Sequence, residues 1–291
     1  MTLLEQQIRG ETPQGRNISP RPSPFLLIKH GSSKPPIFIA HGLCGTVQVA
    51  ELAKHIHTSN PVYGIQGKGI DGLEEPFDRV EDMARFYLEA IEKLDAEGPY
   101  ILVGYSFGGL VALEMAQCLL DAGKHVALLV LIDAYPHPRY LPWWQRQRLV
   151  LTRARGHFNR MRELPLRSAW AYFSRGLERR LHITRTLEES LGSPLNLPFA
   201  AAALQRVKQN AFVAYANYEP RFYRGKLNFV TAEKKSFFPE DPASVWSALA
   251  SELEVEVIPG HHQHSNYGVQ ATGLCAYKIH SASHCNSIEV R

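Results

Sequence analysis

Residues Tyr100 to Gly109 read Tyr-Ile-Leu-Val-Gly-Tyr-Ser-Phe-Gly-Gly, an apolar run that passes through Ser106 straight into a helix-forming segment. No other stretch of the chain narrows the possible folds so far. Ile101-Leu102-Val103 carries no charge, as suits a central strand buried on both faces. Leu110 to Leu120 follows as a strongly apolar helix, with Leu113, Ala116 and Leu120 at helical spacing and an end near Gly123. A buried strand feeding directly into a helix is the unit of a parallel sheet with helices packed on its faces. The turn between them, Gly104-Tyr105-Ser106-Phe107-Gly108, fits Gly-x-Ser-x-Gly, in which a serine sits on a sharp strand-to-helix turn. Glycines flank it because side chains would collide where strand and helix crowd together. The helix N-terminus also aims free N–H groups and partial positive charge at a developing oxyanion.

The rest of the chain repeats the alternation. Phe25 to Ile28 and Pro36 to Ala40 read as strands joined by a Gly31–Lys34 turn, Val49 to His57 as a helix, and Val62 to Ile65 as the next strand. Arg79 to Ala96 is an amphipathic helix with Asp78 as its N-cap, and Val126 to Ile132 is another strand. Leu227 to Thr231 and Leu253 to Ile258 resume the sheet. The fold class is therefore α/β, a mainly parallel sheet with helices on both faces and a helical lid insertion. Its parts are a loose, proline-bearing leader (1–24), a core (25–134 and 210–264), the lid (135–209) and a C-terminal tail (265–291).

Composition excludes several classes. Met1 to Arg16 holds no apolar core of a signal peptide, and the longest apolar run, Val126 to Ile132, is too short to span a bilayer. Four cysteines do not make a disulfide framework, and His280, His284, Cys275 and Cys285 are spaced too irregularly for a metal site. A cytosolic protein without metal or cofactor is expected. The net charge of +4 conceals twelve arginines against two acids from Pro138 to Arg185, about +10 in the lid against about −6 elsewhere. Arginine clusters suit nucleic acid, but no nucleic-acid-binding motif accompanies them.

A serine hydroxyl is a weak nucleophile unless a base takes its proton, and that base needs an acid to orient it. Both belong on loops at the carboxyl ends of strands. Asp133 ends the Leu128 to Ile132 run one strand–helix unit past Ser106, while Glu233 and Asp241 follow the later strand and compete with it. For the base, Val255 to Ile258 runs into Pro259-Gly260-His261-His262-Gln263-His264, so three histidines compete.

These blocks together resemble the α/β-hydrolase thioesterase domains that release products from non-ribosomal peptide and polyketide synthases. The resemblance rests on Ile37 to Gly45, Val62 to Gln66 with Gly72, Gly98 to Gly109, Asp133, Tyr218 to Tyr223, Trp246, and Pro259-Gly260-x-His262. It covers about residues 25 to 262. It implies Ser106 as nucleophile, Asp133 as acid and His262 as base, with oxyanion N–H groups from Phe107 and Leu43 and a structural role for His41. It further implies an acyl, peptidyl or polyketide chain presented as a thioester on the phosphopantetheine of a carrier protein. The chain contains no Gly-Gly-x-Ser-Leu/Ile attachment motif, so carrier or synthase is expected in trans, and the cationic lid would attract an acidic carrier. Water or an internal nucleophile would resolve the acyl-enzyme.

One stretch departs from the family. Where a hydrophobic helix usually follows the histidine, this chain has His264-Ser265-Asn266-Tyr267-Gly268 and a tail rich in Ser, His and Cys, without a 3.6-residue stripe. Two other functions fit the same residues: a carboxylesterase or lipase-like hydrolase of small esters, and a catalytically impaired acyl-ligand-binding protein of the same fold.

Overall fold

Side chains that alternate along the central strands sort into two cores, one on each face of the sheet. The computed structural model describes residues 23–42, 53, 56, 58–94, 98–162, 198–234, 239 and 241–261. Among these, seven strands form one sheet in the order β1-β3-β2-β4-β5-β6-β7. They are β1 (Phe25–Lys29), β2 (Ile37–Ala40), β3 (Val62–Ile65), β4 (Tyr100–Tyr105), β5 (Val126–Ile132), β6 (Tyr223–Lys234) and β7 (Ala250–His261). Only β1 runs antiparallel to its neighbour; every other pair is parallel.

Phe38, Leu102, Leu129, Leu131 and Phe229 point to one face, where they pack on α1 (Val80–Leu94) and α2 (Phe107–Asp121). Ile37, Ile39, Ile101, Val103, Val130 and Ile132 point to the other face and meet Ala53 and Ile56. The second core is dominated by β-branched residues, which suit a pleated, buried surface. Helix α1 keeps Val80, Met83, Ala84, Tyr87, Leu88 and Ile91 inward, the face its spacing predicts. Helix α2 is buried from Phe107 to Leu119 apart from Cys118, so it has no solvent face for most of its length.

Between β5 and β6 the chain leaves the sheet. It passes through a 3₁₀ turn (Pro138–Tyr140) and α3 (Trp143–Arg162), and returns through α4 (Pro198–Asn217). Leu141, just before α3, and Gln145 and Leu149 within it are buried in one row, whereas Trp143, Val150 and Leu151 are exposed. A short helix α5 (Ala243–Trp246) precedes β7 and inserts Trp246, whose indole N–H donates to the Ala134 carbonyl at 3.1 Å.

The strands fall where the sequence places them, although β6 and β7 each extend to 12 residues. The leader up to residue 22, most of the expected 49–57 helix, the middle of the lid and the tail lie outside the described residues. Among those described, no helix is long and apolar enough to cross a membrane.

Candidate active site

Ser106 stands between β4 and α2, where the chain has to reverse in a single residue. It adopts φ 53 and ψ −122, with its backbone N–H donating to the Ile132 carbonyl at 2.8 Å. The space around it explains the flanking glycines. A Cβ on Gly104 would lie 2.3 Å from the Gly109 Cα, and one on Gly108 would lie 2.4 Å from the carbonyl oxygens of both Ala40 and His41. The Ser106 carbonyl already accepts from Gly109 N–H at 3.0 Å, so α2 begins at once. Phe107 therefore carries one of the first-turn N–H groups that a helix leaves without an intrahelical acceptor. Ser106 itself is half-buried and opens toward solvent.

Asp133 occupies the matching place one strand over. Tyr105 and Ile132 are register partners, so the serine and the aspartate are the next residues past the ends of neighbouring parallel strands. Strands lie about 4.8 Å apart, which sets the scale of their separation. Asp133 is 1% exposed, donates its backbone N–H to Val230 at 2.8 Å and accepts from Ala232 N–H through Oδ1 at 3.1 Å. It has φ 44, and among the described residues Ser106 and Asp133 are the only non-glycine residues with positive φ. Such conformations cost on the order of 1–3 kcal/mol each and persist where surrounding structure over-determines them. The two competing acids are placed otherwise. Glu233 is exposed, and Asp241 turns inward on its own loop to accept from Ala243 N–H at 3.0 Å.

The expected base, His262, and the second oxyanion donor, Leu43, lie outside the described residues, as does His264. Their neighbours are placed. Strand β7 runs parallel to β6 and reaches the same end of the sheet, with Lys234 in register with His261. Gly42, immediately before Leu43, packs against the nucleophile, since a Cβ there would lie 3.2 Å from the Ser106 Cβ. His41 Nδ1 lies 2.5 Å from the Gly42 carbonyl oxygen. That oxygen can only accept, so the ring proton sits on Nδ1. Burial pulls the His41 pKa below the ordinary imidazole value, which favours the neutral ring.

Beside this turn lies a small apolar cleft of about 30 Å3. Phe107 and His41 line it on the side of the elbow, together with Ile65, Met83, Val111 and, from α4, Ala211. Lys68 and Phe77 also line it, and sequence reasoning missed both. No local pattern marks them, because the walls come from five separate stretches of chain that meet only in the folded protein.

A second group the sequence did not single out joins the lid's exit to the elbow helix. Glu114 of α2 is buried, and its carboxylate accepts from the Tyr218 hydroxyl at 2.9 Å and from Arg221 Nη2 at 3.1 Å. Arg221 also reaches Asp121 at 3.0 Å. Burial beside the Glu114 carboxylate drives the Tyr218 hydroxyl well above its usual pKa.

Known proteins resemble this chain in sequence and in fold. The family model for the thioesterase domain matches residues 35–277. The chain is 40% identical over 119 residues to a dimodular nonribosomal peptide synthase of Bacillus subtilis (strain 168), covering 40% of this chain and 5% of that protein. It is 39% identical over 133 residues to malpibaldin synthetase of Mortierella alpina, covering 45% of this chain and 2% of that one. The chain thus matches only a small part of the length of these relatives. Among solved structures, the NocB thioesterase domain in covalent complex with a fluorophosphonate nocardicin G analogue aligns at TM-score 0.59. The identity is 22%, with 86% of this chain and 95% of that chain covered. The type II thioesterase BorB from the borrelidin biosynthetic cluster aligns at TM-score 0.59 and 16% identity, covering 89% of this chain and 97% of that one. The architecture is the α/β-hydrolase fold.

Proposed function

The chain belongs to the thioesterase domain family; from that premise we propose that it is a thioester hydrolase that works through an acyl-enzyme on Ser106, releasing acyl, peptidyl or polyketide chains from the phosphopantetheine arm of a carrier protein. The observation that carries this reading is the pair of positive-φ residues, Ser106 and Asp133, at adjacent strand ends. A sheet has no packing reason to strain two neighbouring exits in this way, whereas a nucleophile and the acid that serves it require fixed positions.

In the proposed cycle His262 takes the Ser106 proton as Oγ bonds to the thioester carbonyl carbon. Asp133 orients the imidazole and stabilises its positive charge. The tetrahedral oxyanion receives hydrogen bonds from the Phe107 and Leu43 N–H groups, each worth roughly 3–4 kcal/mol when lost. The C–S bond then breaks, His262 returns the proton to the departing sulfur, and the acyl group stays on Ser106. Water, activated by His262, attacks the ester and releases the acid. The relatives' description as nonribosomal peptide synthetases supports a carrier-borne substrate. The exposed Arg146, Arg148 and Arg155 of α3 supply a cationic approach for an acidic carrier.

A fluorophosphonate probe tests the nucleophile. Labelling is expected at Ser106, absent from Ser106→Ala and strongly slowed in His262→Ala at unchanged thermal stability. A folded wild-type protein that takes no label, yet still binds acyl ligands, would favour the impaired binding protein instead.

A further inference from the structure

The apolar cleft beside Ser106 contains one feature that an aliphatic acyl group would not need. Lys68 lines it, and its ammonium lies 4.6 Å from the centroid of the Phe77 ring, another wall residue, and 6.0 Å from that of Phe86. Stacking on an aromatic face holds a cation in place without neutralising it. Among the described residues no carboxylate pairs with Lys68. The main chain on both sides is tied down: the Tyr87 hydroxyl hydrogen-bonds the Lys68 backbone, and Asn210 of α4 donates to the Pro76 carbonyl, next to Phe77, at 3.0 Å. His41, the other titratable side chain on the wall nearest the nucleophile, is favoured as the neutral ring by burial.

The cleft is also within reach of the reacting carbon. Phe107 follows Ser106 directly, and Gly42, next to His41, packs on the Ser106 side chain. Gly67, next to Lys68, approaches His41, since a Cβ on it would lie 3.5 Å from His41 Nε2, and Lys68 is the only fully charged side chain among the described residues of the lining.

We propose that Lys68, half-exposed on the lining of this cleft, is an anion-selecting subsite that pairs with a negatively charged group carried by the thioester substrate. The shared chemistry is an anionic oxygen group, either a carboxylate ending a short acyl chain or the phosphate of the pantetheine arm. The ammonium is half-exposed and without a carboxylate partner among the described residues, so an anionic group that reaches it gains an attraction that a neutral group of the same length does not. Lys68 is thus a specificity-determining residue for the reaction, and this inference rests on Ser106 being the nucleophile.

The test compares pantetheine thioesters of equal chain length, glutaryl against pentanoyl, and pentanoyl-phosphopantetheine against pentanoyl-pantetheine. Each pair is assayed in wild type, Lys68→Met and Lys68→Arg, with melting temperature measured for all three. If the acyl carboxylate is the anion, the glutaryl-to-pentanoyl ratio of kcat/KM falls roughly tenfold in Lys68→Met and recovers in Lys68→Arg. The loss should appear mainly in KM, because the ion pair forms in ground state and transition state alike. If the arm's phosphate is the anion, the second ratio falls instead. Turnover with both ratios unmoved in Lys68→Met overturns the subsite while leaving the thioesterase mechanism standing. No turnover of any thioester, together with an unlabelled Ser106, removes the mechanism and the subsite together.

Discussion

The elbow and the lid helix are both entered directly from strand ends or the loops that follow them, yet they are held by different means. At the elbow the backbone itself is wedged: Gly104 and Gly108 leave no room for a single added carbon, and Ser106 is tied to the neighbouring strand through Ile132. In the lid, Leu141 before α3 and, among the described side chains of α3, Gln145 and Leu149 are buried, while Trp143, Val150 and Leu151 stand in solvent. Rigid backbone surrounds the elbow, and side-chain contacts hold the described part of the lid. Stability and adaptability are thereby assigned to separate stretches of one chain.

Three variants bear on this contrast. Gly108→Ala should have the largest effect, because its Cβ would sit 2.4 Å from two backbone carbonyl oxygens that cannot move without disturbing β2. A loss of about 4 kcal/mol or more is expected by chemical denaturation, or failure to accumulate as folded protein. A loss below about 1 kcal/mol would mean that the elbow is not wedged as described. Leu149→Ala removes the last described residue of the lid's buried row. It should cost about 2–3 kcal/mol locally, and hydrogen exchange should show it as lost protection in α3 with β4 amides unchanged. Equal loss in β4 would join the two regions into one cooperative unit. The double variant Arg146→Glu and Arg148→Glu should alter stability by no more than about 0.5 kcal/mol, since both side chains are exposed. Its effect should fall on KM for carrier-bound thioesters, rising roughly fivefold at low salt and converging on wild type as salt screens the charges. An equal rise for small free thioesters would show that the arginines do not act through a carrier.

What could be read from the sequence follows from how local each signal is. The elbow declares itself because its steric demands fall on five consecutive residues. Val126–Ile132 was legible to the residue because a strand buried on both faces must be apolar throughout. The full length of β6 and β7 was not legible. In β7, Glu252, Glu254 and Glu256 alternate with apolar residues, and Val257 is 58% exposed, so only its middle looks like a strand. The place of Asp133 at a strand end was legible, but its buried setting and strained φ belong to the fold. The cleft and the Glu114–Tyr218–Arg221 junction were invisible, since each joins residues far apart in the chain through contacts that no spacing encodes.

The position of the lid has one more consequence. Strands β5 and β6 are direct neighbours, in register from Val130 with Asn228 to Ile132 with Val230, so everything between them leaves and re-enters through one gap. Lengthening such a detour adds only about 0.6 kcal/mol of closure entropy per doubling. The sheet therefore places little constraint on how long the detour is or what it contains. Recombination at this single seam could fit the same hydrolytic engine with a different substrate gate, and new selectivity could arise by cassette exchange without any strand being re-registered.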